Sequence, residues 1–153
     1  MSKFIPVYIF DLDGTVCNHE HRLHFLFAGK EEQFHAACVH DTPVLSILGI
    51  LKVLYQSGAE IWFVSGRSRA MFAETLHWLA THTDIPREEI EPRLFLRPAR
   101  DWRQDTVVKG EWLRKQGPEF KARVAAVFED RSSVVKMWRD NGLTCLQVAE
   151  GDF

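Results

Sequence analysis

Pro6-Val7-Tyr8-Ile9-Phe10-Asp11-Leu12-Asp13-Gly14-Thr15-Val16 is the stretch from which the rest of the chain is read. Val7 to Phe10 is apolar, rich in β-formers and too short for a helix, which fits a strand buried on both faces. In open α/β sheets ligands bind beyond the carboxyl ends of the strands, so Asp11 and Asp13 stand where chemistry is usually done. Their spacing of two points both side chains to one side if the strand geometry continues. Gly14 then lets the backbone turn sharply and approach a ligand closely. Two carboxylates at one mouth repel each other and need a cation, or one of them must hold a proton. Asp, Gly and Thr are also ordinary turn residues, so this stretch alone leaves a plain turn open.

The remaining composition narrows the class. At 153 residues the chain is read as one domain, 1–153, large enough for a substantial core. Apolar residues make up 46% and charged residues 26%, the balance of a soluble globular protein. A net charge of -2 argues against a nucleic-acid binder that uses its whole surface, while leaving room for a local basic patch. Cys17, Cys38 and Cys145 form no CxxC pair, and an odd number leaves one unpaired, which favours a reducing, cytoplasmic setting. The early apolar run is interrupted by Asp11 and Asp13, unlike a signal peptide, and no stretch is suited to crossing a membrane.

Residues from about 17 to 41 read as a small helical insert after the first strand, with two short helices broken at Gly29-Lys30. It holds His19, His21, His24, His35 and His40. His21 and His24 share a helical face, as a zinc pair would, but no thiolate or carboxylate sits at a recognised zinc spacing, and solvated or satisfied histidines are the expectation. Asp41-Thr42-Pro43 reads as a cap and first turn of a helix with an apolar stripe of Val44, Ile47, Leu48, Leu51, Leu54 and Tyr55, closed at Ser57-Gly58. Glu60 to Val64 reads as the second strand, running into Ser65-Gly66-Arg67. Leu94 to Leu96, Arg123 to Phe128 and Leu143 to Val148 complete five strands. Helices separate them: one around Met71 to Leu79, one capped by Asp105 or Thr106 and ended at Gly117-Pro118, and one from Ser133 to Asn141 closed by Gly142. Alternating strands and helices mean an α/β fold with a parallel sheet covered on both faces.

Polar groups collect at the strand ends: Asp11 and Asp13, Ser65 to Arg67, and Glu129 with Asp130. Lys109 lies about one turn into the helix after the third strand. Each signal is weak alone. Together they supply acids for a divalent cation, a hydroxyl and amides for phosphate oxygens, and fixed positive charge, which is what phosphoryl transfer needs.

DxDGT, the Ser of SGR, a helical Lys and an acidic pair, in that order, resemble the four motifs of the haloacid dehalogenase superfamily of phosphohydrolases. The run Asp101-x-Arg103-x-Asp105-x-x-Val108-Lys109, then Glu129-Asp130-Arg131 and the ending Gln147 to Phe153, resemble the 3′-phosphatase domain of phage polynucleotide kinase-phosphatases. Arg22, nine residues after Asp13, matches an arginine of that pattern. The sequence contains no GxxxxGK[ST], so no kinase domain is expected in it. The His-rich insert departs from the pattern, and Glu129 stands where that relative carries Asp. The resemblance implies a Rossmann-like three-layer sandwich with strand order 5-4-1-2-3.

It also implies roles. Asp11 is the nucleophile that forms an aspartyl-phosphate, and Asp13 the acid that protonates the leaving alkoxide and then activates water. Asp11, the backbone carbonyl of Asp13, and Asp130 hold Mg²⁺, with Glu129 in support. Ser65 and the amides near Gly66 hold phosphate oxygens, Lys109 neutralises nucleophile and phosphate, and Asp105 orients Lys109. Arg22 and Arg67 contact the substrate phosphate or its neighbour.

The substrate is expected to be a nucleic-acid 3′ end in DNA or RNA repair. Five arginines, Arg87, Arg93, Arg97, Arg100 and Arg103, surround the exit of the third strand, and Arg97 and Arg103 are substrate-binding candidates. Trp102 among them is either a platform for a base or a residue packed against the insert. A phosphatase of small metabolites such as free nucleotides, and a catalytically idle binding module, are the alternatives.

Overall fold

Alternation along the first strand organises the computed structural model, which describes residues 3–153. The strands are β1 (Val7–Phe10), β2 (Cys17–Asn18), β3 (Thr42–Pro43), β4 (Glu60–Ser68), β5 (Leu94–Arg97), β6 (Val124–Glu129) and β7 (Cys145–Gln147). The helices are α1 (Leu23–Phe27), α2 (Glu31–Ala36), α3 (Leu45–Gln56), α4 (Phe72–His82), α5 (Arg87–Ile90), α6 (Asp105–Arg123) and α7 (Ser132–Asp140). Val7 and Ile9 face a core built with Trp112 and Leu113 of α6 and Val134, Val135 and Trp138 of α7. Phe10 faces the other core, with Ile47 and Leu51 of α3 and Leu76 and Leu79 of α4. One strand thus anchors both layers of helices, as the apolar run requires.

The central sheet has the order β5-β4-β1-β6-β7, and every pairing in it is parallel. Counted in sequence these five strands lie third, second, first, fourth and fifth across the sheet, which is the expected 5-4-1-2-3 seen from the other edge. Phe10 pairs with Phe63 on one side and Phe128 on the other. The Phe10 and Phe128 rings stack with centroids 4.4 Å apart. The centre of the sheet is therefore tightly specified directly below the acidic turn.

Two local expectations are corrected. Asp41-Thr42-Pro43 does not open α3: the helix starts at Leu45 with Val44 in the cap position, and no side chain caps it. Thr42–Pro43 is extended and pairs antiparallel with Cys17–Asn18. Proline pushes the residue before it toward β geometry, and here a second strand is available to receive the pair. This small ladder closes the segment that carries α1 and α2, pinning its two ends together. In α6 the chain does break at Gly117, with φ 84° and ψ 172°, but helix resumes at Pro118 and runs to Arg123. Proline is well suited to the first turn of the resumed helix. No helix among the described residues is long and apolar enough to cross a membrane.

Candidate active site

The chain leaves β1 at Asp11, whose N–H still donates to the Phe128 carbonyl at 2.9 Å, and then folds back on itself. The N–H groups of Thr15, Val16 and Cys17 all donate to the Leu12 carbonyl. Gly14 takes φ +83°, and a Cβ there would collide with the Asp130 carboxylate. The glycine thus serves two needs at once: a left-handed backbone and the close approach of β6's acidic end.

Lys109, buried on α6, joins the first group. Its ammonium donates to Asp11 Oδ1 at 2.7 Å and to Glu129 Oε2 at 2.8 Å. Asp130 lies beside them, and oxygens of Asp11, Glu129 and Asp130 fall within 4.8 Å of one another. Thr15 Oγ1 stands between Asp11 and Asp130, 3.5 and 3.4 Å from their oxygens. Burial opposes the charge on Lys109, but Asp11 and Glu129 outweigh it and hold its pKa above the ordinary lysine value. Burial and then Glu129 push Asp11 above the usual carboxylate range, with Lys109 working against them. Burial and then Asp11 push Asp130 up to about 6. With all three carboxylates ionised, one ammonium would leave two negative charges uncancelled, so the cluster needs protons or a cation. An all-oxygen, buried site with that excess fits a hard divalent cation such as Mg²⁺. Of these oxygens, those of Glu129 are already used, one by Lys109 and the other by the N–H groups of Asp130 and Arg131. Asp11 and Asp130 are the freer ligands.

The second group is balanced. Asp13 Oδ1 accepts from Arg22 Nη2 and Arg67 Nη2, both at 2.5 Å. The same two guanidiniums bond to Asp41: Arg22 through Nε and Nη2 at 2.7 Å each, Arg67 through Nη2 at 3.1 Å. His21 Nε2 reaches Asp41 Oδ1 at 2.8 Å. Burial alone would raise Asp13, but Arg67 and then Arg22 hold its carboxyl well below the usual range. Two acids and two arginines cancel, so Asp13, Cys17 and Asp41, although close enough to share an ion, have no charge left for one. Both arginines were expected to contact the substrate phosphate or its neighbour, and the structure places them differently. Arg22 is fully buried and satisfied by Asp13, Asp41 and the Phe34 carbonyl, so it holds Asp13 rather than reaching into the open cavity. Arg67 lines the cavity, with Nη2 on Asp13 and Asp41, Nη1 on Thr75 and its Nε without a partner.

The third part is the loop after β5. Arg97 donates to the carbonyls of Gly66, Asp101 and Arg103 and to the Asp105 carboxylate. Arg131 Nη1 takes the other Asp105 oxygen at 2.9 Å. Asp105 therefore bonds to arginines and not to Lys109, whose position is set by Asp11 and Glu129. Nor does Asp105 cap α6: Gln104 occupies the cap position and no side chain caps the helix. A Cβ on Gly66 would collide with the Asp105 carboxylate, so SGR needs its glycine to let this loop close. Arg103 is spent on Asp101 and Glu111. Ser65 is buried beneath, its Oγ accepting the Arg67 N–H at 3.1 Å, which leaves its hydroxyl proton free to donate.

These parts surround one cavity of about 370 Å³. Asp11, Asp13, Ser65, Gly66, Arg67, Arg97, Arg103, Asp105, Lys109, Glu129 and Asp130 all line it, and Arg22 alone of the sequence candidates does not. Sequence reasoning missed Asp41, read as a helix cap, and the lining residues His19, His35, Arg131 and Phe153. Burial lowers the pKa of His19 and His35. Among the described residues no histidine joins a metal-binding group. The three cysteines are buried and unpaired.

The comparisons with known proteins agree with this geometry. The model of the polynucleotide kinase PNKP phosphatase domain matches residues 6–153. The chain belongs to that family. A candidate bifunctional polynucleotide kinase/RNA ligase of Autographa californica nuclear polyhedrosis virus is 33% identical over 140 residues, 91% of this chain and 18% of that protein. A chain of the Pnkp1/Rnl/Hen1 RNA repair complex superposes with a TM-score of 0.78 at 27% identity, covering 97% of this chain and 44% of that one. A haloacid dehalogenase-like hydrolase of Streptococcus pneumoniae superposes with a TM-score of 0.61 at 13% identity, over 94% of this chain and 84% of that one, a likeness of fold alone. The chain thus spans under a fifth of its viral relative and less than half of the repair-complex chain. The family is one of haloacid dehalogenase phosphatases, with the Rossmann-like fold of that superfamily.

Proposed function

We propose that this chain is a Mg²⁺-dependent phosphomonoesterase that removes the 3′-phosphate from a nucleic-acid end through an aspartyl-phosphate on Asp11. The observation that carries this reading is Lys109 bridging Asp11 and Glu129 at the floor of the cavity, with the Asp130 carboxylate beside them. The family match over residues 6–153 supports the nucleic-acid end.

In this reading an Asp11 oxygen attacks phosphorus and the bond to the 3′-oxygen breaks. Water then attacks the same phosphorus, releasing inorganic phosphate and restoring Asp11. Lys109 neutralises Asp11 and the incoming phosphate together, and the Ser65 hydroxyl donates to a phosphate oxygen. Asp13 is ionised between its two arginines, the form that accepts a proton from water. A phosphate dianion beside it competes for Arg67 and raises its pKa by like-charge repulsion, which favours the protonated form needed by the leaving oxygen. Bound Mg²⁺ supplies the Lewis acid that lowers repulsion between carboxylate and phosphate. Asp11 and Asp130 would hold it. The segment from about 17 to 41 serves as a cap, contributing Leu23, Leu26, Glu31, Phe34 and His35 to the wall.

The test is phosphate release, with Mg²⁺ and with EDTA, from a 3′-phosphorylated oligonucleotide, a 3′-mononucleotide, a 5′-mononucleotide and p-nitrophenyl phosphate. The two 3′-phosphates should be hydrolysed fastest, and only with the cation. Faster hydrolysis of the 5′-mononucleotide would replace this reading with a nucleotidase, and full activity in EDTA would remove the cation from it.

A further inference from the structure

We propose that Trp102 is the stacking platform for the terminal base of the substrate, so that this enzyme selects a phosphate attached to a nucleoside rather than to any small alcohol. This rests on the 3′-phosphatase reading and deepens it.

Trp102 sits on the rim of the cavity and is 79% exposed, so the alternative of packing against the insert is excluded. A large apolar side chain left in water gains nothing from folding. Its loop is nevertheless held firmly. Asp101 on one side accepts the Arg103 N–H at 3.1 Å and the Arg103 guanidinium at 2.6 Å, Arg103 extends to Glu111, and Arg97 takes the carbonyls of Asp101 and Arg103. These bonds use both neighbouring side chains and leave the indole between them uncovered. A pinned loop presenting a free aromatic face at the mouth of a site is pre-organised for a flat partner.

The chemistry of the cavity says which partner. Its floor holds Asp11, Ser65 and Lys109, suited to a phosphate. Leu26 and Phe34 of the insert and Phe153 also line the cavity and add apolar surface to its wall. Arg97 and Arg103, the cations that would track a phosphate backbone, are consumed by Asp105, Asp101 and Glu111. The ligand that matches a charged floor, a partly apolar wall and an exposed indole is an anion joined to a flat ring, and a nucleoside 3′-phosphate is such a group. Stacking accepts any base, because each has a π-face.

The experiment uses two single-stranded oligonucleotides with a 3′-phosphate, one whose last residue carries a base and one whose last residue is a stable abasic sugar. Wild type should favour the base-bearing end in kcat/KM by about tenfold, a typical worth of one aromatic stack. Trp102→Ala should bring that ratio close to one, with the loss carried by KM, and Trp102→Phe should restore most of it. A ratio that Trp102→Ala leaves intact, or an equal fall in kcat on both ends, would overturn the proposal while leaving the 3′-phosphatase reading standing. If wild type cleaves neither 3′-phosphorylated end yet cleaves p-nitrophenyl phosphate, the underlying reading fails and the stacking role falls with it.

Discussion

Arg22 and Asp41 form a two-pronged pair inside the protein, Nε to Oδ1 and Nη2 to Oδ2, each at 2.7 Å, with both side chains fully buried. Arg67 shares the second oxygen, so one carboxylate offsets two guanidiniums that would otherwise both fall on Asp13. Asp41 reaches this place because Thr42 and Pro43 are pinned to β2, which sets the residue before them at the inner end of the insert. The Trp78 indole N–H holds its backbone carbonyl at 2.9 Å.

Asp41→Asn should therefore destabilise the fold by about 3–5 kcal/mol, the cost of leaving buried charge without its partner. The change keeps the shape and removes only the charge. Urea denaturation measures it, and a stability within about 1 kcal/mol of wild type would show that Asp41 is not the hub of this network. At temperatures where the variant is folded, kcat should also fall, because Asp13 loses the arrangement that holds it.

Asp11→Asn should abolish turnover with the fold intact. In the proposed mechanism Asp11 takes the phosphoryl group, and an amide cannot form the acyl phosphate. Circular dichroism checks the fold, and mass spectrometry excludes deamidation. Activity above a few per cent of wild type would displace Asp11 as nucleophile.

Cation binding should compete with protons. Asp130, pushed up to about 6, holds a proton in the folded protein at pH values where the unfolded chain has lost it. Its raised pKa favours the fold at low pH, and that contribution is lost as pH rises through about 6. Mg²⁺ removes the repulsion among the ionised carboxylates, so saturating Mg²⁺ should raise Tm more at about pH 7.5 than at about pH 5. Calorimetric titration should show protons released on Mg²⁺ binding near pH 6. An Mg²⁺-induced Tm shift independent of pH would show that the ion binds elsewhere.

Arg97→Gln should lower turnover of an oligonucleotide and of p-nitrophenyl phosphate in the same proportion. Its guanidinium closes the loop over Gly66 and Asp105 rather than standing free for a phosphate backbone. Arg103→Gln, at a half-exposed ion pair, should cost far less. A selective rise in KM for the oligonucleotide would instead make Arg97 a contact for the neighbouring phosphates.

The site was legible in the sequence where the chemistry depends on strand ends. Asp11, Asp13, Ser65 and Asp130 stand at strand ends, where ligands gather, Lys109 was marked by its place in the ordered motifs that carry the resemblance, and all five line one cavity. Asp41 was not legible, since an Asp before Thr-Pro has the signature of a helix start, and only pairing with a distant strand selects the extended form. Arg22 and Arg97 could be recognised as important but not placed: a guanidinium looks the same in sequence whether it awaits a phosphate or is already held by a carboxylate.

By itself the sequence determined the layers, the sheet and the acidic turn, because each rests on periodicity or on local spacing along the backbone, and the order of its motifs carried the resemblance to the family. The tertiary structure alone decided how the charges are shared. It put Lys109 between Asp11 and Glu129 and set three carboxylates against that one ammonium. It set Asp13 and Asp41 against two arginines in balance, and it left Trp102 bare on a pinned loop. Charge balance and exposure depend on which side chains meet through space, and residues far apart in the chain carry no local trace of their partners.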